Sequence, residues 1–143
     1  MTSALRPLIV ERDPNFSHLL RRGLAKAGVA ESQARFASDG EEAIRILSER
    51  EEPPSFVILD LQLPKRSGLD VLEWIRSLPR FASLHVFMMT ADSTPESVSR
   101  AFELGVSSYF IKPGHVDDLD GLLAGIIAYT HRRAATSLRG PST

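Results

Sequence analysis

The sequence predicts an α/β fold, one doubly wound five-stranded parallel sheet with helices on both faces. Three observations predict it. Five short apolar runs alternate with five stretches of helical periodicity, the pattern of repeated strand–helix units. The helical stretches open and close on capping residues. The third apolar run, "FVILDL", is almost uninterrupted up to its acid, as suits a strand covered on both faces.

In chain order the expected strands are Leu8–Val10, Ala34–Ala37, Phe56–Leu61, His85–Thr90 and Ser108–Ile111. The first helix takes Asp13 as N-cap, Pro14 at its first position and Gly28 as its stop, with Phe16, Leu19, Leu20, Leu24 and Ala27 as its apolar stripe. "DGEEAIRILSER" turns at Asp39-Gly40 and offers Ala43, Ile44 and Leu47. "SGLDVLEWIRSL" turns Leu69, Leu72 and Ile75 inward. "DSTPESVSRAFELG" has Thr94 as cap, Pro95 first and Gly105 last. "VDDLDGLLAGIIAYTHRR" faces the core with Leu119, Leu122, Leu123, Ile126 and Ile127. The strand order expected, 2-1-3-4-5, is the one known from flavodoxin-like sheets. The domain is expected to occupy residues 1–133, with 134–143 a flexible C-terminal tail, small and polar in "TSLRGPST".

At 143 residues the chain suits one well-packed domain. A net charge of -1 gives no general attraction to nucleic acid or to an anionic membrane, and no helix-turn-helix pattern or basic patch supports DNA binding. The absence of cysteine removes disulfides, thiolate catalysis and Cys-based zinc sites. No signal peptide or membrane-spanning run is legible, so a cytoplasmic protein is expected. His18, His85, His115 and His131 are scattered without metal-ligand spacing.

In an open α/β sheet, function gathers beyond the carboxyl ends of the strands. Those ends carry Glu11, Arg12 and Asp13 after strand one and Asp60 at strand three. Thr90 and Ala91 follow at strand four, and Lys112-Pro113 at strand five. An aspartate there can act as a nucleophile toward phosphorus, with an ammonium and a hydroxyl to hold phosphoryl oxygens. Each residue alone has an ordinary structural reading, Asp60 as a loop cap and Lys112-Pro113 as a turn. Their company favours chemistry.

"VILDLQLPKRSGLDVL", "FMMTAD" and "SSYFIKPG", after an acidic first loop, resemble the receiver domain of two-component response regulators. The wording "LDLQLPKRSGLDVLEWIR", with no output domain following, is similar to the single-domain regulators that partner phytochrome-type histidine kinases. The resemblance implies a phosphoacceptor at Asp60, a switch hydroxyl at Thr90, a phosphate-binding lysine at Lys112 and an inward-swinging aromatic at Tyr109. It implies a cis Lys112–Pro113 peptide and Mg²⁺ held by Glu11, Asp60 and the carbonyl of Gln62. The Gln62 side chain and Asp92 would border the path of hydrolytic water. The partner implied is a histidine kinase, with output through protein contacts.

The departure is Arg12. Where the family's first loop reads acid-acid, this chain reads Glu11-Arg12, with Asp13 falling on the helix cap. Arg12 has three readings. It points to solvent, or it pairs with Asp60 in a locked pseudo-receiver, or it does some of the cation's work itself. Weak Mg²⁺ binding is expected. The rival functions are a phosphorylation-independent binding or dimerisation module, kept alive by Arg12, and an aspartyl-nucleophile phosphohydrolase. The latter is discounted because Gln62 stands where a second acid is needed. A nucleotide-binding flavodoxin-like protein lacks its Gly-rich loop. Self-association through the last two helices and the last strand is expected. Gly121 and Gly125 then signal either another chain's approach or close packing on the protein's own sheet.

Overall fold

Alternation of apolar side chains along five short strands builds two hydrophobic layers, one on each face of a single sheet. In this computed structural model, residues 4–49, 52–91 and 94–139 are described. The strands are β1 (Leu8–Val10), β2 (Arg35–Ala37), β3 (Val57–Leu59), β4 (Val86–Thr90) and β5 (Ser108–Ile111). They pair in parallel in the order β2-β1-β3-β4-β5. Five helices connect and cover them: α1 (Pro14–Lys26), α2 (Gly40–Glu49), α3 (Gly68–Arg76), α4 (Pro95–Glu103) and α5 (Val116–Arg139).

Leu8, Val10, Val57, Leu59, Val86 and Met88 face one layer, packed under α2 and α3 and against Ala101 of α4. Ile9, Ile58, Phe87 and Met89 face the other, under α1 and α5. With both faces covered, the central strands can be apolar throughout. α1 and α5 cross closely at Gly23, where a Cβ would collide with Leu123 Cδ1. Lys26 Nζ and Asp120 Oδ2 close that crossing at 2.9 Å.

The helix starts follow local chemistry. Asp13 Oδ1 accepts the Asn15 N–H at 2.9 Å, with Pro14 inside the helix start. Ser67 Oγ accepts from Asp70 N–H at 3.1 Å, and Thr94 Oγ1 from Ser97 N–H at 3.2 Å. The expected inward residues all pack on a core layer, with Leu19, Ala27, Ile44, Leu69 and Leu122 half-buried. Two helices also bury a residue that the periodicity did not name. In α2 it is Ile46, buried with Ala43 and Leu47. In α3 it is Val71, which is fully buried. The cause is the same in both helices: a helix packed on a twisted sheet turns its stripe by part of a residue spacing, which periodicity over so short a stretch does not resolve. α5 also runs six residues past Arg133, to Arg139. Ala134, Ala135 and Leu138 are good helix formers, and no glycine or proline intervenes before Gly140-Pro141. Residues 140–143 lie outside the described residues. Among the described residues no helix is long and apolar enough to cross a membrane.

Candidate functional site

The carboxyl ends of β1, β3 and β5 bring three side chains into one charge cluster. Asp60 follows β3 directly, its N–H still donating to Val10 O at 3.0 Å. Its side chain is buried. Lys112, one residue beyond β5, places Nζ 2.9 Å from Asp60 Oδ2 and 3.0 Å from Glu11 Oε1. The same ammonium lies 4.6 Å from the centroid of the Phe16 ring, a cation–π contact in a partly desolvated setting.

Every carboxylate oxygen of the cluster has a partner. Glu11 Oε2 accepts the Asp13 N–H at 2.9 Å, and Asp60 Oδ1 accepts the Gln62 N–H at 3.2 Å. Burial lifts the Glu11 carboxyl above its usual range. The Asp13 N–H and the Lys112 ammonium pull it down, and the Asp60 charge adds to the rise. For Lys112, burial alone would depress the ammonium, but hydrogen bonds and charge from Asp60 and Glu11 outweigh it and the net shift is upward. Both shifts are upward, yet they act oppositely on charge: the acid is harder to ionise and the lysine is held more firmly charged. Glu11 shares its one lysine with Asp60, whereas Lys112 has two carboxylates.

Arg12, Asp13, Asp60, Gln62, Ala91 and Lys112 line a cleft of about 460 Å³ above this cluster. Thr90 ends β4 and is buried. Tyr109 sits apart: it is half-buried against the α2–α3 layer, opposite Met88 in the β4–β5 ladder. Asp92 lies outside the described residues. The Lys112–Pro113 peptide is trans, contrary to the cis form expected, as are the other described peptides. Trans is the lower-energy isomer before proline by about 0.5–1 kcal/mol, and the lysine reaches both carboxylates from it.

The reading in which Arg12 locks Asp60 in an ion pair is not what the geometry has. Lys112 occupies that role. Arg12 is exposed on the cleft rim, and its guanidinium has no ion-pair partner among the described residues. Among the described residues, no three His, Cys, Asp or Glu side chains gather so as to hold a metal ion.

The loop after β3 is shaped to present Asp60. A Cβ on Gly68 would overlap the Asp60 carbonyl and come within 2.8 Å of Leu61 Cα, so only glycine lets α3 start this close. The Gly68 N–H donates to Leu61 O at 2.8 Å. Sequence reasoning did not single out Gly68, although the turn-like "KRSG" was its signal. It also read Phe16 as plain core. Nothing local in the sequence could have placed its ring beside Lys112, 96 positions away.

A family model, the response regulator receiver domain, matches residues 8–124. The chain belongs to the response regulator receiver domains. Receiver domains partner histidine kinases, generally bind Mg²⁺ and are generally signalling modules rather than enzymes. This receiver domain is 35% identical over 133 residues to the transcriptional regulatory protein GltR of Pseudomonas aeruginosa, covering 93% of this chain and 52% of GltR. It thus spans about half the length of that relative. Among solved structures it resembles the phosphorylated cyanobacterial phytochrome response regulator RcpA, with TM-score 0.80, 25% identity and coverage of 87% and 91%. It also resembles the Mn²⁺-bound form of response regulator Rcp1, a protein of Synechocystis sp., with TM-score 0.77, 26% identity and coverage of 87% and 93%.

Proposed function

We propose that this receiver domain is a phosphorylation-operated switch in which a histidine kinase transfers a phosphoryl group to Asp60. One observation carries the reading: Asp60 is a buried carboxylate that opens into a charged cleft while paired at 2.9 Å with Lys112. A carboxylate oxygen there attacks phosphorus, and Lys112 follows the new phosphoryl oxygens as its bond to Asp60 Oδ2 is given up. Thr90, buried at the neighbouring strand end, supplies the hydroxyl that the phosphoryl group recruits. Tyr109, one strand over, follows that movement. Gln62 and Ala91 line the cleft through which water reaches the site, and the Gln62 side chain borders the path of hydrolytic water.

The likeness to the phytochrome response regulator RcpA supports a phytochrome-type kinase as partner, and the reading places the domain in the cytoplasm. Output passes through protein contacts, including self-association through α4, β5 and α5. A Cβ on Gly121 or Gly125 would meet nothing within 4 Å, so packing on the protein's own sheet does not explain either glycine. Incubation with phosphoramidate, followed by intact-mass measurement, tests the phosphoacceptor. The unmodified protein gains one phosphoryl group and Asp60→Asn gains none; uptake by both would sink the assignment.

A second reading is favoured by Arg12. With an acid missing at that position and Lys112 already paired with both Asp60 and Glu11, the domain can act as a constitutive, phosphorylation-independent binding module. In that case the unmodified protein takes up no phosphoryl group from any donor, and its oligomeric state in light scattering is the same before and after treatment.

A further inference from the structure

Resting on the reading of Asp60 as phosphoacceptor, we propose that Arg12 is the resident cation of this cleft, binding the phosphoryl group in place of a divalent metal. Mg²⁺ requires a near-octahedral set of oxygens at short range, usually one or two carboxylates with waters and phosphoryl oxygens. Among the described residues no three acidic or histidine side chains gather to hold an ion, and a metal at the two carboxylates present competes with Lys112 for them. Glu11 is buried with one oxygen on the Asp13 N–H and the other on Lys112. Asp60 is bonded through one oxygen to the Gln62 N–H and through the other to Lys112. The next position, where an acid would offer a further carboxylate, is Arg12, an exposed residue that lines the same cleft and has no ion-pair partner among the described residues.

The charge balance supports the substitution. Putting arginine where an acid would stand changes the local charge by two positive units, the charge of the divalent ion it replaces. A guanidinium is always protonated and presents its N–H groups in a planar fork that matches two phosphoryl oxygens. Lys112 is held at the base of the cleft by Glu11 and Asp60, while Arg12 is exposed and lines the same cleft, so both cations are available to the incoming group. In the step itself, an Asp60 oxygen forms the new P–O bond as the P–N bond of a phosphohistidine or phosphoramidate breaks. The electron pair leaves with nitrogen, which takes a proton from water.

The experiment measures phosphoramidate uptake by intact-mass analysis in Mg²⁺ and in chelator, alongside calorimetric Mg²⁺ titration, for the unmodified protein, Arg12→Gln and Arg12→Asp. The unmodified protein is expected to be phosphorylated at the same rate in both media, and to show no Mg²⁺ binding at millimolar concentration. Arg12→Gln loses about tenfold or more of the chelator-insensitive rate. Arg12→Asp gains Mg²⁺ binding and becomes chelator-sensitive. Arg12 is exposed, so both variants fold. Uptake by the unmodified protein that chelator abolishes overturns the role of Arg12 while leaving Asp60 the phosphoacceptor. No uptake in either medium overturns both.

Discussion

Two hollows of similar size, one beyond the carboxyl ends of the strands and one beside β5, are built by opposite means. The cleft at the strand ends, about 460 Å³, is lined by Arg12, Asp13, Asp60, Gln62, Ala91 and Lys112. The groove between α5 and the β4–β5 edge, about 420 Å³, is lined chiefly by Phe87, Phe110, Leu122, Ile126 and Tyr129, with Gly121 and Gly125. The first is a hollow made by charges that hold one another in place. The second is made by leaving side chains out. Charge placement tolerates little change, because each buried carboxylate depends on the same lysine. The groove is open where the glycines lie, and filling it there costs the folded monomer nothing.

That contrast gives a graded series of effects. The largest belongs to Lys112→Ala, which leaves Glu11 and Asp60 buried with no ammonium. We expect a loss of about 3 kcal/mol in urea unfolding at neutral pH. The loss should shrink as pH falls, because protonation removes the repulsion between the two carboxylates. A loss that is the same at acid and neutral pH would mean that packing, not charge, holds the cleft.

Next comes Gly68→Ala. Its Cβ cannot coexist with the Asp60 carbonyl, so the start of α3 must shift at a cost of about 2 kcal/mol, and phosphoryl uptake should fall with it. Unchanged stability and uptake would show that the loop after β3 is softer than its geometry implies.

The groove behaves in the other sense. Gly121→Ala and Gly125→Ala should each stabilise the monomer by about 1 kcal/mol, the helix-propensity gain, since the added methyl meets nothing. That corresponds to a rise in Tm of about 4 °C. If self-association uses this face, the same changes weaken it, so sedimentation at high concentration separates the two effects.

The smallest effect concerns His85, whose ring lies 5.2 Å from Tyr129 at the margin of the groove. Burial, with help from the charges of Arg133 and Arg76, lowers its pKa below the usual value. The unfolded chain therefore takes up this proton first. The neutral ring's contribution is intact above about pH 6.5 and is lost as pH falls through the lowered folded value. His85→Gln should flatten the slope of stability against pH between about 5 and 7, and an unchanged slope would assign it elsewhere.

The sequence by itself determined the sheet and its helices. Their signals are local: Asp13-Pro14 and Thr94 cap where they stand, and "FVIL" is apolar because both of its faces are covered. It also determined which side chains end the strands, because parallel strands set all their carboxyl ends on one side, and it marked Arg12 as the misfit. It could not determine who pairs with whom. Lys112 taking both Glu11 and Asp60, Phe16 seating that ammonium and Arg12 standing on the rim all depend on strand ends distant in sequence meeting within about 3 to 5 Å. The same holds for Ile46 and Val71, and for the open space beside Gly121 and Gly125. Only the twist of the sheet and the setting of helices on it decide such contacts, because a rotation too small to alter periodicity exchanges one neighbour for another.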